Sequence, residues 1–207
     1  MSSLRLRSAV APLDDLTLAY AATRVLSLAE SCGLWQPEGP VTTLSPAVLA
    51  EALHAVADAG VPTGPLLRPV GQAASPEDLL ADLRRIEHAI ESSPVPEREL
   101  PRLREVLGTE LIEQLVRVAP ATLRRYLAGE RTVPDDVAER AHLVALVVNE
   151  LVGSYNDRGV RRWFERARPQ LGGKAPRSLL PKGWSPDDDG PQQVLALARS
   201  LTQVGAT

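Results

Sequence analysis

Proline placement constrains this chain more than any other feature. Eighteen prolines in 207 residues would ruin a helical protein if scattered at random, because an interior proline costs about 3 kcal/mol. Here they recur where a first helical turn would begin: SPAVLAEALHAVADAG, SPEDLLADLRRIEHAIESS, APATLRRYLAG, VPDDVAERAHLVALVVNELVGS, APRSLL and GPQQVLALARSLTQV. At that position the ring loses nothing, since its missing N–H has no intrahelical partner. Ser45 and Ser75 stand as N-caps, and Ser75 with Asp78 makes a capping-box pattern. Aromatic residues are only 3% of the chain, so the core must rest on Leu, Val and Ala, the mix that packs helix on helix. No segment alternates with period two for long enough to predict a strand. The expected fold class is all-α, a helical bundle.

The pattern predicts helices near 14–31, 46–59, 76–92, 98–107, 109–116, 120–128, 134–155, 157–167, 176–180 and 191–203. GVPTGPLLRPVGQAAS, residues 60–75, reads as a Gly/Pro-rich connector, and SSPVPE marks a second break at Ser92–Pro96. Three parts follow: an acidic helical region at 1–95, a helical domain at 96–153 and a C-terminal module at 154–207.

Charge divides the chain in the same place. Residues 1–97 carry −6 and residues 98–207 carry +3, within an overall −3. Eight basic residues (Arg158, Arg161, Arg162, Arg166, Arg168, Lys174, Arg177 and Lys182) stand against one acid, Glu165, in 158–182. Such asymmetry points to two parts with different partners, one of them anionic. The alternative is a solvated helix face in a chain that uses Arg for Lys throughout. The overall charge argues against a protein that coats nucleic acid over its whole surface.

Several classes are excluded or left without support. The single Cys32 cannot form an internal disulfide, and no CxxC or His/Cys cluster offers a zinc site. The apolar runs are too short to span a membrane. MSSLRLRSAVAPLDDL lacks the apolar stretch of a leader because Asp14 and Asp15 interrupt it, so a cytoplasmic location is expected. His54, His88 and His142 lie in unrelated helices and read as surface or packing residues. No nucleophile elbow, Walker or dinucleotide-binding pattern occurs. No enzymatic activity and no cofactor are expected. Asp187–Asp189 lacks alternating ligand spacing and reads as a solvated loop before a helix.

TELIEQLVRVAPATLRRYLAG, residues 109–129, holds two short helical patterns joined by a tight turn. Ile112, Val116, Val118, Leu123 and Tyr126 have the spacing of a helix-turn-helix, with Val118 in the corner. Pro134 then opens a long amphipathic helix that would close the bundle. RRYLAGERTVP resembles the sequence after the recognition helix of Xre/Cro-type regulators. That resemblance implies a second helix in the major groove, with Ala121, Thr122, Arg124 and Arg125 facing out and Arg131 meeting a phosphate. Arginine suits guanine edges and phosphates alike. Arg117 takes the turn position where glycine usually supplies a left-handed angle, and Glu113 the position of a usual small residue. A helical hairpin used for dimerisation or packing is the other reading of this segment.

Residues 149–201 form the most specific stretch. Trp163-Phe164 on a helix, Pro169-Gln170-Leu171-Gly172-Gly173-Lys174-Ala175-Pro176 in a loop, Leu179-Leu180, and a last helix with Val194, Leu197, Ala198 and Leu201 follow in order. Trp163 and Phe164 read as core anchors, and Trp184, in PKGWSPDDD, as an interface candidate. This ordered set resembles the toxin-binding domain of the Xre/MbcA/ParS antitoxin family, over about residues 98–203. The resemblance implies a RES-type, NAD-degrading toxin as partner, its cleft covered by the C-terminal module. It also implies operator DNA as a second partner, and a homodimer is expected on it. Gly172, Gly173, Lys174 and Trp184 are the expected partner contacts, with Arg161, Arg162 and Arg166 facing acids on the toxin rim or DNA phosphate. A stand-alone DNA-binding regulator whose C-terminal module recruits another protein is the alternative, favoured by the long acidic region 1–95.

Overall fold

A computed structural model describes residues 2–63 and 75–203, and the side chains only as far as residue 201. Most of the expected 60–75 connector and the last residues of the tail lie outside the described residues. The chain divides into two compact units, Ser2–Val95 and Pro96–Thr207. Among the described residues the fold is predominantly helical, with nine α-helices and one two-stranded sheet. No described helix is long and apolar enough to cross a membrane.

The first unit runs β1 (Leu4–Ala9), α1 (Leu16–Ser31), β2 (Val41–Leu44), α2 (Pro46–Asp58) and α3 (Pro76–Glu91). Its caps are those the sequence announces. Ser45 Oγ accepts from Val48 N, and Ser75 Oγ accepts from Asp78 N while donating to the Asp78 carboxylate. Asp15 adds a cap to α1, accepting from Thr17 N and Leu18 N. Leu83, Ile86 and Ile90 of α3 are buried, as are Val25, Leu26 and Ala29 of α1, and these two helices pack together. Arg24 Nε donates to Glu87 across the same pair at 2.9 Å.

The sheet is the element that the periodicity rule passed over. β1 and β2 pair in parallel, Leu4 opposite Val41 and Ala9 opposite Leu44, with α1 as the crossover. LRLR does alternate, but β2 is only four residues long. Its pairing depends on a partner far away in the chain, which a local window does not see.

The second unit contains α4 (Pro96–Leu107), α5 (Thr109–Val116), α6 (Pro120–Leu127), α7 (Asp135–Val152), α8 (Asp157–Glu165) and α9 (Asp189–Gln203). Two 3₁₀ turns, Pro169–Leu171 and Pro176–Leu179, separate the last two helices. Instead of being amphipathic, α7 is buried along both of its sides, from Arg140 through Leu151 without a break. A helix buried all round is a core helix, and α4, α5, α8 and α9 all pack on α7. Residues 154–203 therefore share one core with 96–153. His142, inside this core, places Nδ1 2.5 Å from Glu99 Oε1 of α4.

Candidate nucleic-acid and partner interfaces

The α5–α6 hairpin is built around a left-handed turn. Arg117 ends α5 with φ 61° and ψ 46°, the only non-glycine residue with positive φ among those described. Val118 N donates to Glu113 O, closing the last turn. Pro120 then starts α6. Ile112, Val116 and Leu123 are fully buried and Tyr126 nearly so, while Val118 is half-buried in the corner.

An L-residue in this conformation costs roughly 1–2 kcal/mol. The Arg117 side chain supplies the offset. Its guanidinium donates through both Nε and Nη2 to the carbonyl of Leu180, far along the chain. Arg140 of α7 works beside it, with Nε donating to Val116 O at 3.1 Å and Nη2 to Asp136 at 2.6 Å. Trp184 completes the joint, its indole N–H donating to Leu115 O at 2.9 Å. Arg117 and Trp184 thus pin the turn at 115–117 to the segment 180–184, and Arg140, which also reaches Trp184 O at 3.5 Å through Nη1, bridges the two.

That joint corrects one expectation. Trp184 is 2% exposed, a core plug rather than an interface residue, because burying its ring and satisfying its N–H against Leu115 leaves nothing to present. Trp163 and Phe164 are buried anchors, in edge-to-face contact at 5.2 Å between centroids.

The remaining candidates lie at the surface. Ala121, Arg124 and Arg125 are exposed, and the i, i+3, i+4 spacing gathers them on one face of α6. Thr122 is half-buried, at the edge of that face. Arg131 is exposed, with its guanidinium 5.8 Å from the Tyr126 ring centroid.

In the C-terminal segment, Arg161 is exposed but engaged, donating to Val106 O at 2.7 Å and to Glu105 O. It satisfies the last carbonyls of α4, as cations at helix C-termini do. Arg162 and Arg166 are exposed and make no ion pair among the described residues. Arg168 is half-buried against Trp163, its guanidinium 5.3 Å from the ring centroid.

Gly172, Gly173 and Lys174 form an exposed tip. Both glycines have positive φ, 62° and 78°, and nothing lies within 4 Å of a Cβ added to either. The N–H groups of Leu171, Gly172, Gly173 and Lys174 all donate to carbonyls within the loop. These four N–H groups are therefore not left over to form the backbone nest that cradles a phosphate. The tip offers bare backbone that another protein surface can approach closely.

The Arg117–Arg140–Trp184 joint does not show in local sequence periodicity. Its visible traces are Arg117, at a turn position that glycine usually fills, and Arg140, a charge next to the mostly apolar run of α7. No family model, no curated protein and no solved structure matches this chain.

Proposed function

We propose that this chain is an antitoxin that binds operator DNA through the α5–α6 helix-turn-helix and covers the active site of a RES-type toxin with its C-terminal segment. The observation that carries the reading is the pairing of two surfaces in one compact unit. One is a short helix with Arg124 and Arg125 outward beyond a tight turn. The other is an exposed diglycine tip whose backbone N–H groups are bonded within the loop and whose surface is open to protein. The ordered residues from Trp163 to Leu180, which resemble the Xre/MbcA/ParS toxin-binding domain, supply the identity of the partner. A homodimer would present two α6 helices about one DNA turn apart, roughly 34–36 Å. Location in the cytoplasm belongs to the same proposal.

The test is expression of the gene adjacent to this one, alone and together with this chain, while viability and NAD content are followed. Toxicity with NAD loss, both reversed by this chain, is the expected result. A harmless neighbour or constant NAD refutes the antitoxin reading. Surface variants then separate the two activities, because truncation after Gly153 would strip α9 from α7. Arg124→Ala with Arg125→Ala should weaken promoter binding and reduce the logarithmic salt slope by about 1.8, at ~0.9 per phosphate contact, with neutralisation intact. Arg166→Glu with Lys174→Glu should do the reverse.

A stand-alone DNA-binding regulator is the second reading. It is favoured by the unit Ser2–Val95, which has its own buried core and lies outside the antitoxin resemblance.

A further inference from the structure

The large apolar side chains that the described residues leave exposed all fall within eleven positions of the first unit. Leu16 is 87% exposed, Tyr20 67% and Val10 49%. Leu16 and Tyr20 are one helical turn apart on α1 and so share a face. Val10 directly follows β1, in the connection to the same helix. A shallow, mostly apolar groove of about 270 Å³ lies between Leu6, Arg7, Ser8, Ala9 and Leu44 of the sheet and Ala19 and Thr23 of α1, next in sequence to Val10 and Tyr20. Isolated exposed apolar residues need no explanation, but a cluster with an adjoining apolar groove marks an interaction site.

We infer that this face of β1 and α1 is the surface through which two copies of the chain associate. Charge decides between a second copy and other occupants. A two-fold interface sets a surface against itself, so flanking charges of a single sign would repel. Here the flanks have opposite signs. Arg5 and Arg7 are exposed on β1, and Asp14 is exposed at the start of α1, so the patch is complementary to its own rotated image. Pairing of two β1 edges about a two-fold at Leu6 would instead set Arg5 against Arg7, a like-charge contact. The helix face therefore makes the contact, with Leu16 and Tyr20 of one copy seated in the groove of the other.

The size of the patch sets the strength of the association. Tyr20 offers on the order of 150 Å², and with Leu16 and Val10 the apolar area falls short of the roughly 800 Å² per partner of a standard interface. The dimer is therefore reversible and dissociates on dilution. This inference deepens the homodimer of the proposed function, but its test uses no DNA and no toxin, so either can fail alone.

The experiment is sedimentation equilibrium of the full chain over a wide concentration range, compared with Leu16→Asp/Tyr20→Asp and with Tyr20→Phe. The wild type and Tyr20→Phe should show monomer–dimer equilibria with similar constants. The double variant should weaken dimerisation at least 100-fold, with an unchanged circular dichroism spectrum and thermal midpoint, since both side chains already face solvent. A wild type that is monomeric at every concentration overturns the inference and gives the patch to a different protein. A double variant with the wild-type dimerisation constant overturns it equally.

Discussion

Replacing Arg117 separates two effects that oppose each other at one residue. The side chain donates twice to Leu180 O, and hydrogen bonds from charged groups contribute about 1.5–3 kcal/mol. Arg117 is itself exposed, so the lower end of that range applies. Leu180 is fully buried, and stripping its carbonyl of a donor adds about 1 kcal/mol. Arg117→Ala loses both contributions and keeps the left-handed strain, for a total of about 2–3 kcal/mol. Arg117→Gly loses the same contacts but relieves roughly 1 kcal/mol of strain, leaving a deficit of about 1–2 kcal/mol. The expected order of stability is wild type, then Arg117→Gly, then Arg117→Ala. In a unit of this size each kcal/mol moves the midpoint by about 4 °C, so the two variants should melt about 4–8 °C and 8–12 °C below the wild type. Circular dichroism melts and urea titrations both measure this. An Arg117→Gly variant as stable as the wild type would refute the reasoning, because the Leu180 contact would then contribute no more than the roughly 1 kcal/mol of strain that glycine relieves.

Two further outcomes follow from the same unit. Trp184→Phe keeps an aromatic plug but leaves Leu115 O without its donor, and should cost about 1–3 kcal/mol in urea unfolding. An unchanged midpoint, with loss of partner binding instead, would restore Trp184 as an interface residue. A Cβ at Gly190 would lie 2.6 Å from Leu179 O, so Gly190→Ala must shift the second 3₁₀ turn or the start of α9. That variant should lose on the order of 1–3 kcal/mol, and a thermal midpoint equal to the wild type would show that this junction yields freely.

Most helices were legible in the sequence because their start signals are local. Pro46, Pro76 and Pro120 open α2, α3 and α6, where the absent N–H is harmless. The α5–α6 hairpin was legible for a similar reason, since its apolar spacing lies within 21 residues. What escaped depends on contacts distant in sequence. β1 needs β2, more than thirty residues away, and Trp184 needs a carbonyl in α5. PKGWSPDDD has the composition of a solvent loop, and nothing local says that its indole faces inward. Arg117 illustrates the same limit: local rules mark it as a residue out of place, and only the position of Leu180 explains it. The outward residues Ala121, Arg124 and Arg125 follow from helical spacing once the buried face is fixed by Leu123 and Tyr126.

The joint between the 115–117 turn and the 180–184 segment also bears on how this architecture can be recombined. A C-terminal segment that merely followed the helical hairpin could be exchanged between homologous chains as a cassette. Here the exchange would have to carry Trp184 together with Arg117 and Arg140, because these side chains of each half bond to backbone carbonyls of the other. Chimeras cut between α7 and α8 should express poorly unless those three side chains travel as a set. A segment brought in without Arg117 and Arg140 opposite it would leave the carbonyls of Leu180 and Trp184 without these donors, so the hairpin and the segment that follows α8 are exchangeable only as one unit.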